Sequence, residues 1–384
     1  MKLIFLSFSL FLISFLSFAD DTIPAYNKYL SKQLTYSGDF CNNFSGGLKK
    51  SNLYLGIAHF KLAFNLDYFN GFKGGELFIN TAAAHGKSPS EYLTGDYQVV
   101  SNIDAAGDHI YIQELWYKHH FNRFDFLIGL LDMNKDFLVV DGGADFINSS
   151  FGVPPVLSAN IPVPIFPLTN FGFAAKFKLS DKLALQAALF DGCPKAWEHN
   201  KYNLNWHLSK DDGLFNINEM QYFSNFHSLT GIFKLGVYYH SGLVIKEPDT
   251  DKPVIVFDNN YGYYFLADQV IWNNKENDKK AALFLQFVIS DKKINKHHIY
   301  SGAGINFYGI FGKKSSDVAG FAFARAGFNN SFNNYETAIE LFYNKQLNEN
   351  ISIKPDFQYI INPSGTEANL KNSLLGIIRI NLSF

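Results

Sequence analysis

Cysteine is almost missing from this chain: two residues, Cys41 and Cys193, in a length of 384. That excludes a disulfide-built scaffold, although an exported chain would meet an oxidising compartment in which the two could pair. Their distance is not legible in sequence, so the pairing stays open. Charge is scarce as well, at 18% charged residues and a formal net charge of −2. Nothing here supplies the basic field that nucleic acid or another polyanion would need. Catalytic signatures are also lacking. There is no G-x-S-x-G elbow, Gly86-Lys87-Ser88 lacks the upstream glycine of a phosphate loop, and Gly302-Ala303-Gly304 falls inside a strand pattern. His119-His120 and His297-His298 are adjacent pairs, and neighbours on a strand point to opposite faces, so neither pair chelates one metal. Gly142-Gly143 between Asp141 and Asp145 lacks the carboxylate spacing of a calcium loop and reads as a polar turn. The expectation is a protein that is not an enzyme and carries no metal or cofactor.

Long apolar runs are confined to the start. Lys2, the apolar stretch Leu3–Leu16 and Ser17-Phe18-Ala19 before Asp20-Asp21 form a signal peptide over 1–19, cleaved after Ala19. Beyond it no segment approaches the roughly 20 apolar residues of a spanning helix. Aromatics, in contrast, are abundant, with 40 Phe, 21 Tyr and 4 Trp. High aromatic content without spanning helices is the footprint of a membrane β-barrel with interfacial girdles.

The dominant pattern is alternation with period two. Ile378, Ile380, Leu382 and Phe384 share one face against Arg379, Asn381 and Ser383, and Phe60-Leu62-Phe64-Leu66-Tyr68 stands against Lys61, Asn65 and Asp67. Phe171-Phe173-Ala175-Phe177-Leu179 and Tyr335-Thr337-Ile339-Leu341-Tyr343 repeat the pattern. Such ladders predict strands at 33–40, 51–68, 74–83, 110–120, 122–131, 171–179, 182–190, 214–223, 230–240, 260–271, 280–289, 298–308, 319–329, 334–345, 350–361 and 371–384, sixteen in all. A soluble sandwich could show the same ladders. The long connections, however, all follow odd strands and those after even strands are mostly short, as in outer-membrane barrels with long extracellular loops and short periplasmic turns. The expected fold is all-β: a sixteen-stranded transmembrane antiparallel β-barrel over 33–384, after an N-terminal periplasmic segment at 20–32. At that strand number the interior admits an aqueous channel. Connection 132–170, stiffened by Pro154, Pro155, Pro162, Pro164 and Pro167, is expected to fold inward as a constriction.

Specific stretches resemble a known family. Asn102-Ile103-Asp104, Gln113-Glu114-Leu115-Trp116, Phe126-Leu127-Ile128-Gly129 and the segment Asp145–Pro154 look like the N-terminal half of OprB-type carbohydrate-selective porins. Phe190-Asp191-Gly192-Cys193-Pro194, Asp212-Gly213-Leu214-Phe215 leading to Glu219, Phe233-Lys234-Leu235-Gly236 and Leu266-Ala267-Asp268-Gln269 follow in the same order. The most specific marks are Glu336–Tyr343 and Lys354–Pro363. One departure stands near 309–317, where the family often has a Gly-rich stretch ending in Arg and this chain has Lys313-Lys314. The resemblance implies an integral bacterial outer-membrane channel passing monosaccharides by facilitated diffusion, as a monomer or homotrimer, with small neutral sugars as solute and outer-membrane lipid around it. A general, weakly selective porin, a plugged barrel acting as an enzyme or surface protein, and a secreted soluble β-protein are the competing readings.

Sugar selectivity needs aromatic faces and hydrogen-bonding groups in the lumen. The candidates are Glu114, Trp116 and Lys118 on one strand face, with Asp125, Lys176, Gln186, Asp191, Glu219, Asp268, Arg325, Glu336 and Glu340. Arg325 and Glu340 are the leading two.

Overall fold

The computed structural model describes residues 29–384 except 70, 207, 247–252, 275–278, 310–316, 330–333 and 367. The signal peptide at 1–19, most of the 20–32 segment and Lys313-Lys314 lie outside the described residues. The strands are β1 (Leu30–Ser45), β2 (Asn52–Asn65), β3 (Gly75–Gly86), β4 (His109–Phe121), β5 (Phe124–Leu131), β6 (Asn170–Ser180), β7 (Leu183–Asp191), β8 (Leu214–Phe226), β9 (Leu229–His240), β10 (Leu243–Lys246), β11 (Pro253–Phe257), β12 (Asn260–Asn274), β13 (Lys279–Ser290), β14 (His297–Tyr308), β15 (Val318–Phe328), β16 (Tyr335–Asn348), β17 (Ile351–Ile361) and β18 (Ser373–Ser383). All except β10 and β11 form one closed antiparallel barrel, with β18 paired back onto β1. Closure leaves no edge whose backbone groups would face hydrocarbon unpaired. No described helix is long and apolar enough to cross a membrane.

Each of the sixteen expected strands has its counterpart in the barrel wall. The first begins at Leu30, so residues 30–32 belong to the wall and not to a preceding segment. The alternation test missed β10 and β11, a separate two-stranded ribbon within the connection 241–259.

Connections 122–123, 181–182, 227–228 and 349–350 close one end of the barrel, while 87–108, 132–169, 192–213 and 241–259 rise from the other. In the turn between β8 and β9, His227 (φ 49°) and Ser228 (φ 66°) are both left-handed, the geometry of a two-residue hairpin turn that matches strand twist.

The pleat divides the side chains between two solvents. Phe173, Leu189, Leu235, Phe321, Leu341, Phe357, Ile378 and Ile380 stand exposed on the outer face, the apolar band that lipid requires. The inner face is not simply polar. Phe190, Phe215, Tyr238, Tyr264, Phe284, Tyr300 and Phe342 point inward and are buried, together with Met133, Phe137, Leu138, Phe146, Ile147, Phe151, Val156 and Leu157 of the 132–169 loop. The barrel therefore contains a hydrophobic core built between its wall and an infolded loop.

Candidate functional site: anchored loops inside the barrel

The 132–169 loop is fastened to the wall at many points. Burial of its backbone in an apolar lumen would cost several kilocalories per orphaned group, so each inward stretch is met by a wall side chain. The Glu340 carboxylate accepts the amide protons of Ile147 at 2.6 Å and Asn148 at 2.9 Å. Asp268 accepts those of Asp141 and Gly142, both at 3.0 Å. Amide and ammonium donors take the carbonyls: Gln186 to Asp136 at 2.8 Å, Lys234 to Val139 at 2.6 Å, Gln286 to Phe151 at 2.8 Å and Lys354 to Asp145 at 2.5 Å. Tyr300 donates to the Ser150 carbonyl at 2.8 Å. Asn148 also donates to Gln358 at 3.1 Å. These anchors belong to β7, β9, β12, β13, β14, β16 and β17, so the middle of the loop is held along that arc of the wall, while its two ends bond to Gln113 of β4.

The 87–108 loop is tied to the neighbouring wall. Glu336 accepts the amide protons of Tyr97 and Gln98 at 3.0–3.1 Å and of Ser364 at 2.8 Å. Arg379 forms a bidentate pair with Asp39 at 2.7 Å on each contact, across the β1–β18 seam, and donates to Asn102 at 2.7 Å. Ser101 donates to the same Asp39 at 2.7 Å. Burial pushes the loop carboxyls Asp96, Asp104 and Asp145 above the usual range. Asp132, at the base of the 132–169 loop, is raised to about 7, first by burial and then by the charge of Glu114.

Strands β4 to β8 carry the other candidates. Glu114, Trp116 and Lys118 do share the inner face, after a bulge at Asn80/Thr81 that resets the register of β4. Trp116 stacks on Phe78 with ring centroids 4.7 Å apart. Its indole nitrogen donates to Glu114 at 3.4 Å, and Asn80 donates to the other Glu114 oxygen at 3.1 Å. Asp125, Lys176, Gln186 and Glu219 are register partners on successive strands, forming a polar belt along the inner wall. Asp125 pairs with His120, and Gln186 donates to Glu219 at 2.9 Å. Asp191 ends β7, accepting from Asn170 at 3.2 Å.

One expectation is corrected. Arg325 faces outward: it has the parity of exposed Phe321 and Phe323, whereas Ala322, Ala324 and Ala326 face inward and are buried. Its guanidinium lies 3.7 Å over the Tyr335 ring, beside the rim. Small residues occupy the inner positions of β15 because the apolar lumen contents press against them. Cys41 and Cys193 are unbridged, the first buried on β1 and the second in the 192–213 loop. Glu336, Glu340 and Asp268 are inward as expected, yet their oxygens are taken up by loop amides.

Reasoning from sequence did not single out Arg379, Lys354, Gln358, Gln286 or Lys234 as anchors. Each is a polar residue on the inward parity of its strand, opposite the exposed apolar residues, which is the signal that marks it.

A family model described as carbohydrate-selective porin, OprB family, matches residues 49–384. The chain belongs to that family. It is similar to Porin B of Pseudomonas aeruginosa, 21% identical over 92% of this chain and 87% of the relative. The high-pH structure of Pseudomonas putida OprB matches with a TM-score of 0.82 at 20% identity, covering 94% of this chain and 95% of that one. The low-pH structure of the same porin matches with a TM-score of 0.62 at 16% identity, over 94% of each chain. This porin is accordingly an integral outer-membrane carbohydrate channel.

Proposed function

We propose that this porin passes neutral monosaccharides by facilitated diffusion through a narrow, water-filled passage between the 132–169 loop and the β2–β6 wall. The observation that carries the reading is the fastening of the middle of that loop to the far side of the lumen, which leaves the Trp116 side as the solute's wall. Trp116 offers an aromatic face and Lys118 a group for sugar hydroxyls, while Glu114 and Asn80, buried behind the indole, hold it in place. Asp125 and Lys176 place both signs of charge beside it, which suits a neutral polyol better than one ion sign. Asp191, Glu219 and Gln186 set the edge of this wall, while Asp268, Glu336 and Glu340 act on the solute through the loops they hold. The passage lies within one barrel, so a monomer and a homotrimer serve equally, lipid covers the outer band, and no catalytic step is involved.

Single-channel conductance of the refolded protein in planar bilayers tests the reading, with glucose, other monosaccharides, a disaccharide and glycerol added in turn. Monosaccharides are expected to block current at concentrations where glycerol does not, with Trp116→Ala weakening the block. Current indifferent to sugars would leave a general porin, and an absence of current would leave a plugged barrel.

A further inference from the structure

Three arginines occur in the chain. Arg379 is buried in its pair with Asp39, and Arg123 stands in the two-residue turn between β4 and β5. Of the three, Arg325 is the one on the outer face of the wall, and it lies three residues before Phe328, the long-loop end of β15. An outward arginine is costly at the middle of a bilayer and nearly free at its interface. Phe321 and Phe323 carry the same face down into the apolar band, while Tyr335 opens β16 at the rim beside it. Arg325 therefore sits where hydrocarbon gives way to headgroups.

No anion of the protein neutralises it among the described residues. The carboxylates of β13 to β17, Glu336, Glu340 and Asp356, are all buried on the inner face. Its cross-strand neighbours are Ser301 and Thr337. The contact it does make is with the Tyr335 ring, 3.7 Å away, through the face of the guanidinium, while its N–H donors radiate from the edge.

More positive charge stands above. The 291–296 connection is clamped to the end of β15 by Asn329. The Asn329 amide donates to the Lys296 carbonyl at 2.8 Å, and its side chain donates to the carbonyls of Lys292 at 2.6 Å and Asn295 at 2.9 Å. Lys292 and Lys293 are exposed on this connection. Lys296 is used elsewhere, its ammonium 4.5 Å from the centre of the Tyr97 ring. The one acid of the connection, Asp291, accepts the Lys293 amide at 2.8 Å within its own turn.

We infer that the outer face of β14–β16 at the long-loop end, Arg325 with Lys292 and Lys293 above it, holds a phosphate-bearing lipid of the surrounding leaflet. A guanidinium forks onto two phosphate oxygens, and ammonium groups nearby add charge without demanding one geometry. Below Arg325, exposed Phe321, Phe323 and Leu341 offer an apolar strip to acyl chains. A free anion would gain the charges alone, whereas a lipid gains charges and strip together. The lumen plays no part in the site.

Native mass spectrometry of the refolded protein in detergent tests this, with phosphatidic acid, phosphatidylcholine of the same chains, or inorganic phosphate added in turn. Phosphatidic acid is expected to bind the unmodified protein in preference to phosphatidylcholine. Its half-saturating concentration should rise about tenfold in Arg325→Ala, the loss of a charge-assisted contact, and less in Arg325→Lys. Lys292→Ala with Lys293→Ala, both outside the barrel wall, should raise it about threefold or more. Heat-shifted mobility on a gel confirms that each variant forms the barrel. Equal binding of phosphatidic acid by Arg325→Ala and the unmodified protein would overturn the assignment, as would equal binding of the two lipids. Displacement of phosphatidic acid by the same concentration of inorganic phosphate would make this a free-anion site and overturn the lipid. Each of these results leaves the sugar reading untouched.

Discussion

Glu340 of the barrel wall and Ile147 of the infolded loop are joined at 2.6 Å, carboxylate to backbone amide, although they lie 193 residues apart. A second oxygen of the same carboxylate takes the amide of Asn148. One side chain thus satisfies two adjacent backbone donors in a buried stretch of the loop.

Glu340→Ala orphans both donors, at about 1–3 kcal/mol each. The expected results are a lower thermal midpoint in detergent, and larger, noisier open-channel current with weaker discrimination between glucose and glycerol. Current and noise identical to the unmodified protein would mean that apolar packing alone holds the loop.

Arg325→Ala is expected to leave sugar block untouched, because the guanidinium points away from the lumen. The stacking it loses on Tyr335 is worth about 0.5–1 kcal/mol at an exposed site. A changed half-blocking concentration for glucose would place Arg325 in the solute path and contradict its parity.

The Asp39–Arg379 pair closes the barrel seam while buried. Removing one partner leaves the other charge unpaired, a loss of about 3–5 kcal/mol. Arg379→Met should lower the temperature at which the barrel opens on a gel shift assay, whereas Arg379→Met with Asp39→Asn should fall short of the sum of the two single changes. Additive losses would show that the pair acts only through separate neighbours.

Asp132 gives stability a pH dependence whose sign follows from its raised pKa. Between the usual 3.8 and about 7 the folded chain keeps a proton that the unfolded chain has released. Stability is therefore greatest below this window and falls as pH rises through it, by no more than about 1.4 kcal/mol per pH unit. Asp132→Asn should flatten that slope in thermal melts taken from pH 4 to 7; an unchanged slope would assign it to other carboxyls.

The wall was legible because lipid imposes a strict rule on every second residue, and β6 or β18 obey it without exception. The 241–259 connection hides β10 and β11 because a four- or five-residue ribbon carries too few alternations to register. The lumen was harder to read. In Ala281–Ile289 the inner face is apolar except for Gln286, which is the trace of an inner face covered by the loop through Phe284 and Val288. Arg325 was misplaced because a charge was assigned inward by its type, while the phenylalanines at 321 and 323 already fixed its side. Glu336 and Glu340 were found as inward carboxylates, but sequence alone does not tell a group facing solute from one facing a folded-in backbone.

The 132–169 loop is tied on one flank to Gln186 and Lys234 and on the other to Glu340 and Lys354, so it cannot leave the finished cylinder without undoing many bonds. Its entry is expected to precede the meeting of β18 with β1, so Glu340→Ala should slow barrel closure in a refolding time course read by gel shift, and closure at the unmodified rate would separate the two events. Assembly then follows a ship-in-a-bottle order: cargo first, hull last, with the Asp39–Arg379 contact as the latch that shuts once the interior is in place.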